Sequence, residues 1–193
     1  MKPISFDEIL SAENYDRVRD LIRPLVIQEK NRRRLIVGSH ITLLFENRQT
    51  AWYQIEEMVR TEKLAAREAI QHEIETYNEL VPQGGELVAT MLIEYSEVRE
   101  RDAALRRLVG LERHMWLVVD AKRLAVKFDD RQMSDERVSS VQFVRFPLDG
   151  TSAEQFHTLA QAGKVRIEVD HPNLAAEAPI AGALADALSE DLR

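Results

Sequence analysis

Apolar residues recur with two different periods along this chain, and the switches between them lay out the elements. Tyr15, Val18, Ile22 and Leu25 fall three and four residues apart, the spacing that puts side chains on one face of an α-helix. Ser5 and Glu8 have the spacing of a capping box for a short helical turn, and Ser11 opens a second helical start behind it. Pro24 lies inside that second pattern, and its ring and missing N–H predict a kink or a break there. The period then shortens. Leu35-Ile36-Val37 and Ile41-Thr42-Leu43-Leu44-Phe45 are two β-rich runs around Gly38-Ser39, a hairpin signal. Asn47 stands where it can cap a following helix. From Thr50 onward Trp52, Ile55, Val59, Ala66, Ile70, Ile74 and Tyr77 return to helical spacing. That stripe is loose near Thr61 to Leu64, so residues 50–80 read equally as one helix or two.

Pro82-Gln83-Gly84-Gly85 closes the segment as a turn. A strand follows from Glu86 to Tyr95, then a charged helix from about Glu97 to Val109, ended by Gly110. Met115 to Val119, Leu124 to Phe128 and Val138 to Phe146 read as strands. Thr151 or Ser152 starts a helix that Gly163 ends, and Val165 to Val169 alternates strictly, as a half-buried strand does. After Asp170-His171-Pro172-Asn173 the expectation is an Ala-rich helix carrying Ile180, Leu184 and Leu188. Hairpin-connected strands mixed with helices predict an α+β fold, a largely antiparallel sheet with helices packed on one face. A single domain is expected over residues 1–193, with a helical segment over 1–30 and the sheet with its covering helices over 31–193. Repeats, linkers and low-complexity tracts are absent from the sequence.

Composition narrows the classes. With 193 residues, 45% hydrophobic and 31% charged, the chain is an ordinary globular one and not a disordered one. It has no cysteine, which excludes disulfides, thiolate metal sites and a cysteine nucleophile, and fits a reducing cytoplasm. No apolar run approaches the ~20 residues that span a bilayer, so a cytoplasmic protein without membrane contact is expected. The net charge of -7 disfavours nucleic acid, and no duplex-binding motif appears. The charge is uneven, however. Arg17 to Arg48 holds eight Lys/Arg against three Asp/Glu, and Ser134 to the end holds ten Asp/Glu against five Lys/Arg. That asymmetry suits a local anion site, or a homo-oligomer joined through opposite ends.

Seven stretches, in order, carry a likeness: ENYDRVR, EKNRRRLIVGSHITLLFEN, TAWYQIEEMVRTEK, AIQHEIETYNELVP, GGELVATMLIEY, RRLVGLE and VDHPN. Together they resemble the bacterial family DUF3501, a domain of unknown function of about this length. The resemblance implies no activity, cofactor or catalytic residues. It implies a setting beside redox or peroxide-handling chemistry, with a rubrerythrin-like or iron–sulfur oxidoreductase protein as partner.

Four groups of residues could carry chemistry. Arg32-Arg33-Arg34 presents guanidinium forks of the kind that bind phosphate or carboxylate. On a strand Arg32 and Arg34 would share one face, with Arg33 on the other. Three readings stay open: a solvated helix-to-strand junction, which charge runs favour, internal pairing with Glu57 or the acidic C-terminal half, or an anion site on Arg32 and Arg34. His40 at the hairpin turn is a candidate general acid or base, and Glu57 a second catalytic candidate. With Arg34 and Glu46 these two would line a pocket between the 32–46 hairpin and the next helix. Glu68, His72 and Glu75 share one side of a helix, a weak metal set that occurs once; a solvated polar face is the commoner meaning. Asp170-His171 suggests half of an orienting pair, without a G-x-S-x-G serine to complete it. Two functions follow. One is a non-enzymatic accessory or interaction protein beside a redox pathway, which the scarcity of motifs favours. The other is a small-anion-binding or metal-dependent enzyme using the hairpin pocket.

Overall fold

The computed structural model describes residues 1–132 and 134–193. Ser11 accepts a hydrogen bond from the Asn14 amide and opens α1 (Ala12–Arg32). The helix runs through Pro24 without the expected break. Pro24 faces solvent, while Tyr15 earlier in the helix and Val26 two residues beyond the proline are buried. A hairpin follows, β1 (Arg34–Val37) and β2 (Ile41–Glu46). Asn47 caps α2 (Arg48–Thr61) through the Thr50 amide. The 50–80 segment is two helices: Lys63 takes φ 54° in the link, which a continuous helix forbids, and α3 (Arg67–Asn78) starts beyond it.

The second half adds β3 (Glu86–Ile93), α4 (Val98–Arg107), β4 (Met115–Val119), β5 (Lys122–Ala125) and β6 (Lys127–Phe128). Then come β7 (Val141–Pro147), α5 (Ala153–Gln161), β8 (Val165–His171), β9 (Leu174–Pro179) and α6 (Gly182–Asp191). Asp170 to Asn173 therefore does not start a helix. β8 continues through His171, Pro172 and Asn173 make the turn, and His171 pairs with Leu174 at the head of β9.

The strands form two antiparallel sheets where one was expected, in the orders β1-β2-β3-β7-β6 and β5-β4-β8-β9. β5 and β6 are consecutive stretches that part at Val126, whose N–H donates to the Met115 carbonyl at 3.2 Å. One apolar core serves both sheets, with Leu43, Phe45, Met91 and Phe146 from the first and Leu117, Ile167 and Val169 from the second. Each such side chain contributes roughly 1.5–3 kcal/mol on burial. Phe156 of α5 and Leu188 of α6 belong to this core. α2 and α3 build a separate cluster of Ala51, Ile55, Val59, Ile74 and Val81, to which Ile4 adds. Tyr15 and Val26 of α1 form a third cluster with Tyr53 of α2, so the helices are divided among three packing surfaces. Among the described residues no helix is long and apolar enough to cross a membrane.

Candidate functional site

The arginine run lies elsewhere than on a strand. Arg32 ends α1, Arg33 is its C-cap and Arg34 begins β1, so strand alternation does not pair Arg32 with Arg34. Arg33 is the buried member, only 1% exposed. Its guanidinium bonds both oxygens of Asp191, at 2.8 Å for Nη2 to Oδ1, and also reaches Glu29. Glu29 in turn accepts from Arg32 and, at 3.0 Å, from Asn47 Nδ2, while Arg32 reaches Glu190 at 3.1 Å. Burial works against the Arg33 charge, but Asp191 and Glu29 more than offset it, leaving its pKa above the ordinary value. Burial pushes the Asp191 carboxyl up, with Arg33 opposing. Of the three readings, internal pairing with the acidic C-terminal end is the one these contacts make. Glu57 takes no part: Arg19 binds it at 2.7 and 2.9 Å and the Tyr15 hydroxyl at 2.7 Å. Arg34 is exposed and without an ion pair among the described residues.

The residues expected to line a pocket between the hairpin and α2 are not brought together. His40 and Glu46 stand at opposite ends of β2, about 20 Å apart at ~3.3 Å per residue. Glu46 is buried and accepts from Thr50 and, at 2.7 Å, from Thr90. Glu68, His72 and Glu75 are exposed on α3. Among the described residues no three or more His, Asp and Glu are grouped to hold a metal ion. Asp170 and His171 point apart, as neighbours on a strand do. Asp170 meets His114 Nδ1 at 3.1 Å, Trp116 Nε1 at 3.2 Å and Arg123 at 2.6 Å, and Arg123 first among these holds its carboxyl well below the usual range. His171 is buried, its Nε2–H donating to the Val109 carbonyl and its Nδ1 accepting from the Asn173 amide, each at 3.2 Å. It is a satisfied core histidine.

Functional groups left unused do converge at the other end of the hairpin. A cleft of about 660 Å³ opens between the β1–β2 turn, the end of β3, the start of β7 and α4. Leu92 and Val141, paired across β3 and β7, supply apolar lining. His40 Nδ1 lies 3.1 Å from the Glu94 carbonyl. A carbonyl only accepts, so Nδ1 carries the hydrogen and Nε2 is left for a ligand. The Glu94 amide returns a bond to the His40 carbonyl at 2.8 Å. The imidazole stacks on Tyr95 with centroids 3.9 Å apart and planes 12° from parallel. Arg101 of α4 lines the same cleft, half-buried and without an ion pair among the described residues, beside Ser39, Ser96 and Ser140. A second cleft of about 620 Å³, between α3 and the β6–β7 edge, is less available. Its Arg131 is bound by Glu79 and Asp129 and its Arg145 by Glu86 at 2.6 Å, so both of its arginines are spent on acids of the chain, and only Lys127 of its cations is left without an ion pair among the described residues.

A family model described as "Protein of unknown function (DUF3501)" matches residues 3–192. The chain belongs to the DUF3501 family. A crystal structure of a "novel protein of unknown function" from Burkholderia pseudomallei K96243 is 36% identical over 100% of both chains, with a TM-score of 0.88. No curated protein matches. Neither the DUF3501 description nor that of the Burkholderia protein names an activity, so the expected redox association gains no support from them.

Of the cleft of this DUF3501 protein, His40 was legible in the sequence as a turn histidine. Tyr95 and Arg101 were not. Tyr95 reaches His40 because β2 pairs antiparallel with β3, Ile41 opposite Ile93. Arg101 sits in a run of charges, VRERDAALRR, in which nothing local distinguishes it from its neighbours.

Proposed function

We propose that this DUF3501 protein binds a small anionic ligand in the hairpin-end cleft, with His40 and Arg101 as the groups that recognise it. The observation that carries the reading is the fixed imidazole. His40 is braced by the Glu94 carbonyl and by Tyr95, with Nε2 unengaged, beside the Arg101 guanidinium, which among the described residues makes no ion pair although Glu100 lines the same cleft. An arginine fork grips a carboxylate or phosphate through two parallel hydrogen bonds. An apolar lining with few convergent polar groups is the usual make-up of a ligand cleft. Binding is favoured over acyl transfer because, among the described residues, no hydroxyl of the cleft hydrogen-bonds His40 Nε2, as an activated serine does.

Thermal unfolding in the presence of acetate, succinate, benzoate and inorganic phosphate, each against chloride at equal ionic strength, tests it. At 100 times its dissociation constant a ligand adds about 2.7 kcal/mol. One of the four should raise the midpoint for the native chain and not for Arg101→Ala, and raise it less for His40→Ala. No shift with any of them, or equal shifts in both variants, overturns the reading.

A second reading, association between copies through α1, is favoured by Leu21 and Leu25, which are 73% and 60% exposed one turn apart. Sedimentation equilibrium of the native chain and of Leu25→Glu tests it: a dimer in the first and a monomer in the second supports it, and two monomers refute it.

A further inference from the structure

Residues 2–10 form a strap across α2 and α3. Ile4 exchanges two hydrogen bonds with the Asn78 amide group, at 2.7 and 2.8 Å. Arg48 Nε donates to the Lys2 carbonyl at 2.9 Å, and Trp52 Nε1 to the Glu8 carbonyl at 3.0 Å. Phe6 and Ile9 pack beside buried Ile4 on the cluster of Ala51, Ile55, Val59 and Ile74. The last tie is of a different kind. The Leu10 amide donates to Glu56 Oε1 at 2.8 Å.

Glu56 is 0% exposed, and its second oxygen, Oε2, has no hydrogen-bond partner among the described residues. The charged groups on the surrounding elements are turned to other partners. On the strap, Glu8 pairs with Arg48; on α1, Asp16 pairs with Arg60 of α2, and Arg19 with Glu57. On α3, Arg67 lies over the Phe6 ring at 4.1 Å. Only burial and the Leu10 amide act on Glu56. As a neutral acid it is tolerated there; as a carboxylate it is a buried charge with one bond and no counter-ion.

We propose that Glu56 is a proton-operated latch, neutral when the strap is closed over α2 and α3 and ionised when the strap lifts. Burial pushes its carboxyl up to about 7, against about 4.3 for a solvated glutamate. The closed strap therefore binds the proton more tightly than the lifted one. Closure is most favoured below the solvated value, weakens about tenfold per pH unit as pH rises toward 7, and levels off above it. Across the window the lifted population grows by roughly five-hundredfold.

Hydrogen exchange of residues 2–11, corrected for the intrinsic pH dependence of exchange, reads the latch in the native chain and in Glu56→Gln. Protection of the strap should fall about tenfold per pH unit between pH 5 and 7 in the native chain, and stay flat in the variant. The same slope in both, or no slope in the native chain, overturns the proposal. A measurement without substitution stands beside it: the Glu56 carboxyl carbon and the Leu10 amide nitrogen should titrate together near neutrality. A Glu56 midpoint in the ordinary carboxylate range sinks the latch.

Discussion

Arg33 keeps its charge in the interior because two carboxylates meet it there, and that makes it dearer to remove than its neighbours. Arg33→Ala leaves Asp191 and Glu29 with less compensation in a buried place, which costs roughly 3–5 kcal/mol. Arg32→Ala, at the half-exposed rim of the same network, should cost no more than about 1 kcal/mol. Urea unfolding of the two variants checks the contrast, and equal losses would contradict the buried role. Glu56 bears on pH dependence at the same scale. Its raised pKa contributes stability that is whole below about 4.5 and lost as pH climbs through about 7. Glu29 and Glu57 act oppositely: burial raises Glu29 but its contacts with Arg32 and Arg33 outweigh it, and Arg19 lowers Glu57, so their contribution is present near neutrality and lost on acidification below about 4. Glu56→Gln should flatten the decline in thermal midpoint between pH 5 and 7 and leave the acid limb alone. Pairing with the acidic C-terminal half was one of the readings open for the arginine triplet, but which arginine would be buried and which carboxylate would meet it was not readable, since Asp191 lies 158 residues beyond Arg33.

Helix starts were the most legible elements, because a cap is a local bargain between a side chain and an amide a few residues on. Ser11, Asn47 and Ser152 all cap as their positions predict. Asn47 does more, its amide nitrogen also holding Glu29. Asn47→Ala is therefore expected to cost 1–2 kcal/mol, at the upper end of the capping range, and exposed Ser11→Ala nearer 0.5. Equilibrium denaturation separates those values. β9 was the element that local pattern misplaced. Leu174-Ala175-Ala176-Glu177-Ala178-Pro179 is poor in β-branched residues and reads as helix. It is a strand because β8 offers it six partners in register, from Arg166 opposite Pro179 to His171 opposite Leu174. Pro179 is tolerated because β9 lies at a sheet edge.

For the whole molecule, the hairpins and helices were readable but their grouping into two sheets was not. Where a strand changes sheet depends on non-local pairing, and Val126 looks like any other apolar residue in its run. The cleft was half-readable for the same reason: His40 is local, its companions arrive by topology. The charge asymmetry also has a different use from the one expected. The basic end of α1 meets the acidic last turn of α6 within one chain, as Arg32–Glu190 and Arg33–Asp191. A contact between copies therefore has no need of that charge pattern, and any dimer should persist in 1 M salt, where exposed ion pairs are screened within ~3 Å.

The tip of the first hairpin rests on β9 so closely that a Cβ at Gly38 would fall 2.9 Å from that of Ala176, and Gly38 itself holds φ +65°. Edge strands of the two sheets thus shelter each other. An uncovered edge offers unpaired amides and carbonyls as a template for strands of other molecules. Gly38→Val, strained in backbone and pressed against Ala176, should part β1 from β9 and turn a dispersed solution into one that aggregates on concentration. Light scattering would show it, and a variant that stays clear would mean that these edges are guarded by something other than each other.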